Sequence, residues 1–135
     1  MSGNRNAIIV TYLRAQAAII AVVSDRVISP RLTEKTILPA ICLFARGGTS
    51  NPHIPPYVEP SFQFDCWGST PVEAHEVYNA LYDTLQGIQN QSVVVGGTTY
   101  NIASAIEEVQ GQDIQDMEFP DSPRVITSFR IIMKI

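Results

Sequence analysis

The chain has 135 residues, of which 45% are hydrophobic and 16% charged. That length suits one domain, residues 1–135, with a core able to stand without disulfides or metals. Thirteen acids against nine bases leave a net charge of −4, which argues against a protein that grips nucleic acid through many Lys and Arg contacts to phosphate. Two cysteines, Cys42 and Cys66, do not make a disulfide framework. Both sit in apolar runs and read as reduced core thiols. The charged fraction is well below the usual quarter, as expected where other subunits cover part of the surface.

The first 23 residues are rich in apolar side chains, but Arg14 and Gln16 interrupt them. Neither a signal peptide nor a membrane span is expected there. Asn4 or Asn6 can cap a first helix whose buried face is Ile8, Ile9, Tyr12 and Leu13. Ile19, Ile20, Val22 and Val23 continue the pattern out of register, so a break is expected near Gln16. Ser24-Asp25 ends this unit, and Arg26–Ser29 reads as a short strand closed by Pro30.

Leu38–Arg46 is a continuous apolar run, the pattern of a central strand covered on both faces. Gly47–Pro56 reads as a long Gly/Pro/Ser/Asn loop, joining that strand to Glu59–Trp67 as a hairpin. In the second strand Phe62, Phe64 and Cys66 alternate with Ser61, Gln63 and Asp65. Gly68 and Ser69 turn the corner into a helix. Thr70 is its N-cap, Pro71 its first position, and Glu73 completes a capping box. Ala74, Val77, Tyr78, Leu81, Leu85 and Ile88 form one stripe, with Glu76, Asn79 and Asp83 opposite. Gly87 stops the helix.

Ser92–Val95 and Thr98 to about Val109 read as a hairpin turning at Gly96-Gly97. Gln110–Pro123 reads as an acidic loop: Glu107, Glu108, Asp113, Asp116, Glu118 and Asp121 are six of the thirteen acids. In the last strand, Arg124–Ile135, the core face is Val125, Thr127, Phe129, Ile131, Met133 and Ile135. The fold class is α+β: a mixed, mostly antiparallel sheet with an N-terminal helical unit and one long helix packed on it.

The chemistry-bearing residues are sparse. Cys66 precedes the helix that carries His75, so a small Cys/His hydrolase is one reading. Strand parity turns Cys66 inward with Phe64, and a buried apolar thiol is unreactive. A zinc site from Cys42, Cys66, His53 and His75 lacks any close ligand pair. The two Gly-Gly-Thr stretches lead into no helix and carry no P-loop Lys, so turn chemistry explains them. The acids at 107–121 lack a calcium-loop pattern. No catalytic residue, metal or cofactor is expected.

Taken in order, these signals resemble the tail completion family of long-tailed bacteriophages, also called tail terminator or tail-to-head joining proteins. The residues that carry the resemblance are Val22-Val23-Ser24-Asp25-Arg26-Val27, Leu38-Pro39-Ala40-Ile41, Phe62-Gln63-Phe64-Asp65-Cys66-Trp67 followed by the capped helix with Ala74 and Leu81, Ser122-Pro123-Arg124-Val125 and Ser128-Phe129-Arg130. The resemblance implies a structural virion protein at the neck end of the tail, assembled in the host cytoplasm. It implies a homo-oligomer, a hexameric ring that caps the tail tube, ends its polymerisation and meets the head-tail connector or stopper. DNA passes through such a ring without being specifically bound, and no membrane is involved. On this reading part of Glu107–Asp121 (Glu107, Glu108, Asp113, Asp116, Glu118, Asp121) faces the lumen or an axial partner, because acids repel passing phosphates. The 47–59 loop, with Gly47, Gly48, Asn51, His53 and Tyr57, is expected to touch neighbouring subunits or the tail tube. A neck connector or stopper subunit on the portal side is the alternative within the same architecture.

Overall fold

Three helices and six strands follow one another as α1 (Arg5–Arg14), α2 (Ala17–Val23), β1 (Val27–Ile28), β2 (Ala40–Ser50), β3 (Tyr57–Trp67), α3 (Pro71–Leu85), β4 (Gln89–Val95), β5 (Thr98–Ile114) and β6 (Arg124–Lys134). The computed structural model describes residues 4–29, 37–50, 52–54, 56–114 and 123–135. The strands form one sheet in the order β1-β2-β3-β6-β5-β4. β1 is parallel to β2, and every other neighbouring pair is antiparallel. The class is therefore α+β, with a mixed, mostly antiparallel sheet.

Local signals explain the helices. The Asn4 side chain accepts from the Ala7 amide and caps α1. Asn6 instead accepts from the Ala45 amide of β2 and ties α1 to the sheet. The break expected near Gln16 is present: α1 and α2 meet at 86°, with Gln16 as the extended N-cap of α2. Among the described residues no single helix is long and apolar enough to cross a membrane. In α3, Thr70 accepts from the Glu73 amide at 3.1 Å. The Glu73 carboxylate reaches one residue further back than a standard capping box and accepts from the Ser69 amide.

One face of the sheet carries the core. Ile41 and Leu43 of β2, Phe62, Phe64 and Cys66 of β3, Ile102 and Ala105 of β5, and Val125, Phe129, Ile131 and Met133 of β6 meet Ile8, Ile9, Leu13, Ile19, Val77, Leu81 and Leu85 from the helices. Each fully buried side chain of this size contributes about 1.5–3 kcal/mol by leaving water. The rings of Phe64 and Phe129 pack edge to face at 5.6 Å. α3 packs over β3, β6 and β5 and carries the chain to the far edge, where β4 begins.

Three boundaries differ from the expectation. Gly47–Ser50 is strand rather than loop: after an irregularity between Ala45 and Gly48, Gly48, Thr49 and Ser50 pair with Pro60, Glu59 and Val58. Gly48 has φ +124°, and a Cβ there would lie 2.2 Å from the Glu59 carbonyl oxygen, so only glycine lets the ladder resume. Gln110–Ile114 likewise continues β5, because register shifts between Ile102 and Gln112 let its uneven sequence keep pairing with β6. β4 begins at Gln89, earlier than Ser92. β2 is not central but second from the edge, although Ala40–Leu43 are buried as its apolar run predicts.

Candidate functional site

The acidic segment of β5 splits between the two faces of the sheet. Glu107 lies on the helix side. Its carboxylate Oε2 accepts from the Tyr78 hydroxyl of α3 at 2.7 Å and from Thr127 Oγ of β6 at 2.6 Å. Its Oε1 accepts from Gln110 Nε2, and its amide donates to Gln86 Oε1. The Tyr78 oxygen in turn accepts from the Gly111 amide at 3.1 Å. Gly111 has room for no side chain, since a Cβ would fall 2.7 Å from Val125 Cγ1 and 2.8 Å from the Tyr78 ring. Burial, and secondarily the adjacent Glu107, push the Tyr78 phenol up to about 12. Asp113 reaches the same helix, 2.6 Å from His75 Nε2, on an exposed rim. Glu107 and Asp113 thus hold α3 to β5.

Glu108 points the other way, where its Oε1 accepts from Ser61 Oγ of β3 at 2.6 Å, across the intervening β6. Asp116, Glu118 and Asp121 lie outside the described residues, as does Asn51. At the β2–β3 hairpin, His53 is exposed and Tyr57 half-buried at the start of β3. Thr49 Oγ donates to Glu59 Oε2 across the two strands. Gly47 and Gly48 are exposed positions of β2, and a shallow groove lined by Arg5, Ala45, Val58 and Pro60 runs beside them.

The Cys66–His75 pair does not come together as a nucleophile and base. Cys66 is fully buried, and desolvation, then Asp65 and Glu107, push its thiol well above the ordinary range. His75 is directed to Asp113. Among the described residues no group of three His, Cys, Asp or Glu side chains is placed to hold a metal ion.

Residue parity alone did not reveal the cluster at the β3–β6 end of the opposite face. Trp67 and Arg124 are register partners, and the guanidinium lies 4.9 Å from the indole centroid. Arg124 also approaches Asp65 Oδ2 at 3.4 Å, while Gln63 donates to Asp65 Oδ1 at 2.9 Å. Asp65 is buried, and desolvation raises its carboxyl above the ordinary value despite Gln63, Arg124 and Arg46. The available signal was the alternation of Gln63, Asp65 and Trp67, but it could not supply the partner strand.

No protein-family model and no curated protein matches the sequence. The α+β fold is similar to that of a chain in the solved structure of the virion of a native gene transfer agent (GTA) particle. The TM-score is 0.65 at 15% identity, and the match covers 97% of this chain and 95% of that chain.

Proposed function

We propose that this protein is a structural virion protein, a tail terminator subunit that forms a ring on the tail tube, ends its growth and joins tail to head. The observation that carries this reading is the fold likeness to a virion chain over nearly the full length of both proteins. The ordered sequence resemblance to tail completion proteins supplies the position in the particle and the hexameric ring. A low charged fraction is consistent with a surface shared among neighbours. In this reading the partners are further copies of the chain, the tail tube protein and the head-tail connector or stopper. DNA passes through the ring without sequence-specific contact. The exposed β2–β3 hairpin around His53 and Tyr57 meets a neighbouring subunit or the tube, and the end of β5 from Glu108 onward faces the channel or an axial partner.

Negative-stain imaging of the purified protein, alone and mixed with tail tubes, tests it. Rings seated on one end of each tube are expected. Monomers that leave tubes uncapped and still elongating would overturn the reading. Rings that bind isolated head connectors but never tubes would move the protein to the portal side of the neck.

A further inference from the structure

The charges of this chain are segregated along the sequence. From Gly47 to Pro123 there are eleven acids and no Lys or Arg, while all nine cations lie before or after that stretch. The fold turns this into two surfaces of opposite character. On α3 the solvent stripe is Val72, Glu76, Asn79 and Asp83, all exposed, at helical spacing and with no Lys or Arg on the helix. On the sheet face turned away from the helices, Arg46, Arg130 and Lys134 are exposed. Among them stand Ile132, half-buried, and Ile106, 45% exposed and the register partner of Arg130.

The acids on that sheet face are engaged within the subunit: Glu59 by Thr49, Asp65 by Gln63 and Arg124, Glu108 by Ser61. Among the described residues neither Arg130 nor Lys134 forms a salt bridge. An apolar strip among unbalanced cations is the composition of a docking surface for an apolar-plus-acidic partner. The outer stripe of α3 has that composition, with Val72 69% exposed beside Glu76 and Asp83.

We infer that the open sheet face of one subunit docks the outer face of α3 of a second copy, with Arg130 and Lys134 opposite Glu76 and Asp83. The two surfaces lie on opposite layers of one subunit, so a two-fold dimer cannot satisfy both. The contact is head-to-tail and repeats until it closes on itself. This deepens the ring reading and rests on it, adding which faces meet.

The test uses two full-length variants, R130E/K134E and E76K/D83K, with sedimentation velocity at low salt and thermal melts to verify folding. The wild-type protein is expected to assemble, and to dissociate as NaCl rises from about 50 to 500 mM, because the attraction is screened. Each variant alone places like charges on both faces and is expected to associate at least tenfold more weakly. Mixed together, the two regain complementary faces and are expected to assemble with alternating subunits. As a check independent of charge, E76C/R130C is expected to give an oxidised ladder of linked chains, since the two positions lie on opposite layers of one subunit.

Variants that assemble singly like the wild-type protein, or that fail to recover on mixing and give no ladder, would overturn this inference. Rings on tubes in the same experiment would leave the proposed function standing. A wild-type protein that stays monomeric with and without tubes would overturn both. Unchanged self-assembly with lost binding to tubes or to a polyanion would assign the basic face to that partner and overturn the inference.

Discussion

The two faces of β6 behave as different materials although they alternate residue by residue. On the helix side Val125, Thr127, Phe129, Ile131 and Met133 are 0–1% exposed. On the other side Ile126 and Ile132 are half-buried, and Arg130 and Lys134 are exposed. The first face is closed by α3 and the N-terminal helices, and its one hydroxyl, on Thr127, is satisfied by Glu107. The second is closed only at one end, around Asp65 and Trp67. One strand therefore specifies the fold with its odd-numbered residues and remains available for association with its even-numbered ones.

The largest effect should come from breaking the closed face. Phe129→Ala removes a ring packed on Phe64 and is expected to cost about 3–5 kcal/mol. A chemical denaturation midpoint lowered to match, or failure to fold, is the expected result. A loss under 1 kcal/mol would show that the core tolerates the cavity and that the closed face does not dominate stability.

Next comes the polar pin through that face. Tyr78→Phe deletes the hydroxyl shared by Glu107 and the Gly111 amide and is expected to cost about 1–2 kcal/mol. It should also change alkaline behaviour. The Tyr78 phenol is raised from 10.0 to about 12 on folding, so its contribution is fully present below pH 10 and is lost as pH rises through 12. The wild-type melting temperature should fall more steeply than that of Y78F across that window. Parallel curves would remove Tyr78 from the account.

Asp65 probes the closed end of the open face. Its folded carboxyl is raised above the ordinary 3.8, chiefly by burial. The protonated form is thus favoured by folding, and its contribution is present below pH 3.8 and lost as pH rises through the higher folded value. D65N does not titrate, so its melting temperature relative to wild type should climb as pH goes from 4 to 7. A difference that moves the other way would mean that the Arg124 pairing outweighs desolvation.

The smallest effect on stability is expected at the exposed end. Arg130→Ala should alter monomer stability by no more than about 0.5 kcal/mol, measured at high salt where association is screened. A loss comparable to that of Y78F would erase the contrast between the two faces.

The sequence carried much of this architecture because its signals were local. Period-two alternation in β3 and β6, the Thr70 cap, the break at Gln16 and the Gly96-Gly97 hairpin each rest on near neighbours along the chain. The burial of Cys66 followed from the same parity. What failed was where a glycine signals a turn in one context and close packing in another. Gly48 and Gly111 read as loop residues, yet each sits in a ladder against a neighbour that leaves no space for a side chain, the Glu59 backbone and the Tyr78 ring.

The candidate surfaces divide in the same way. Acid enrichment near Glu107–Asp113 was evident from composition, but not that Glu107 and Asp113 turn toward α3 while Glu108 reaches Ser61. A strand's own pattern determines which residues share a face. Which strand lies beside it, and which face the helices cover, depend on contacts between residues far apart in sequence. By itself, therefore, the sequence determined the elements, their buried sides and the separation of acidic from basic segments. Only the tertiary structure decided the order β1-β2-β3-β6-β5-β4, and with it the placing of acidic and basic surfaces on opposite sides of one subunit.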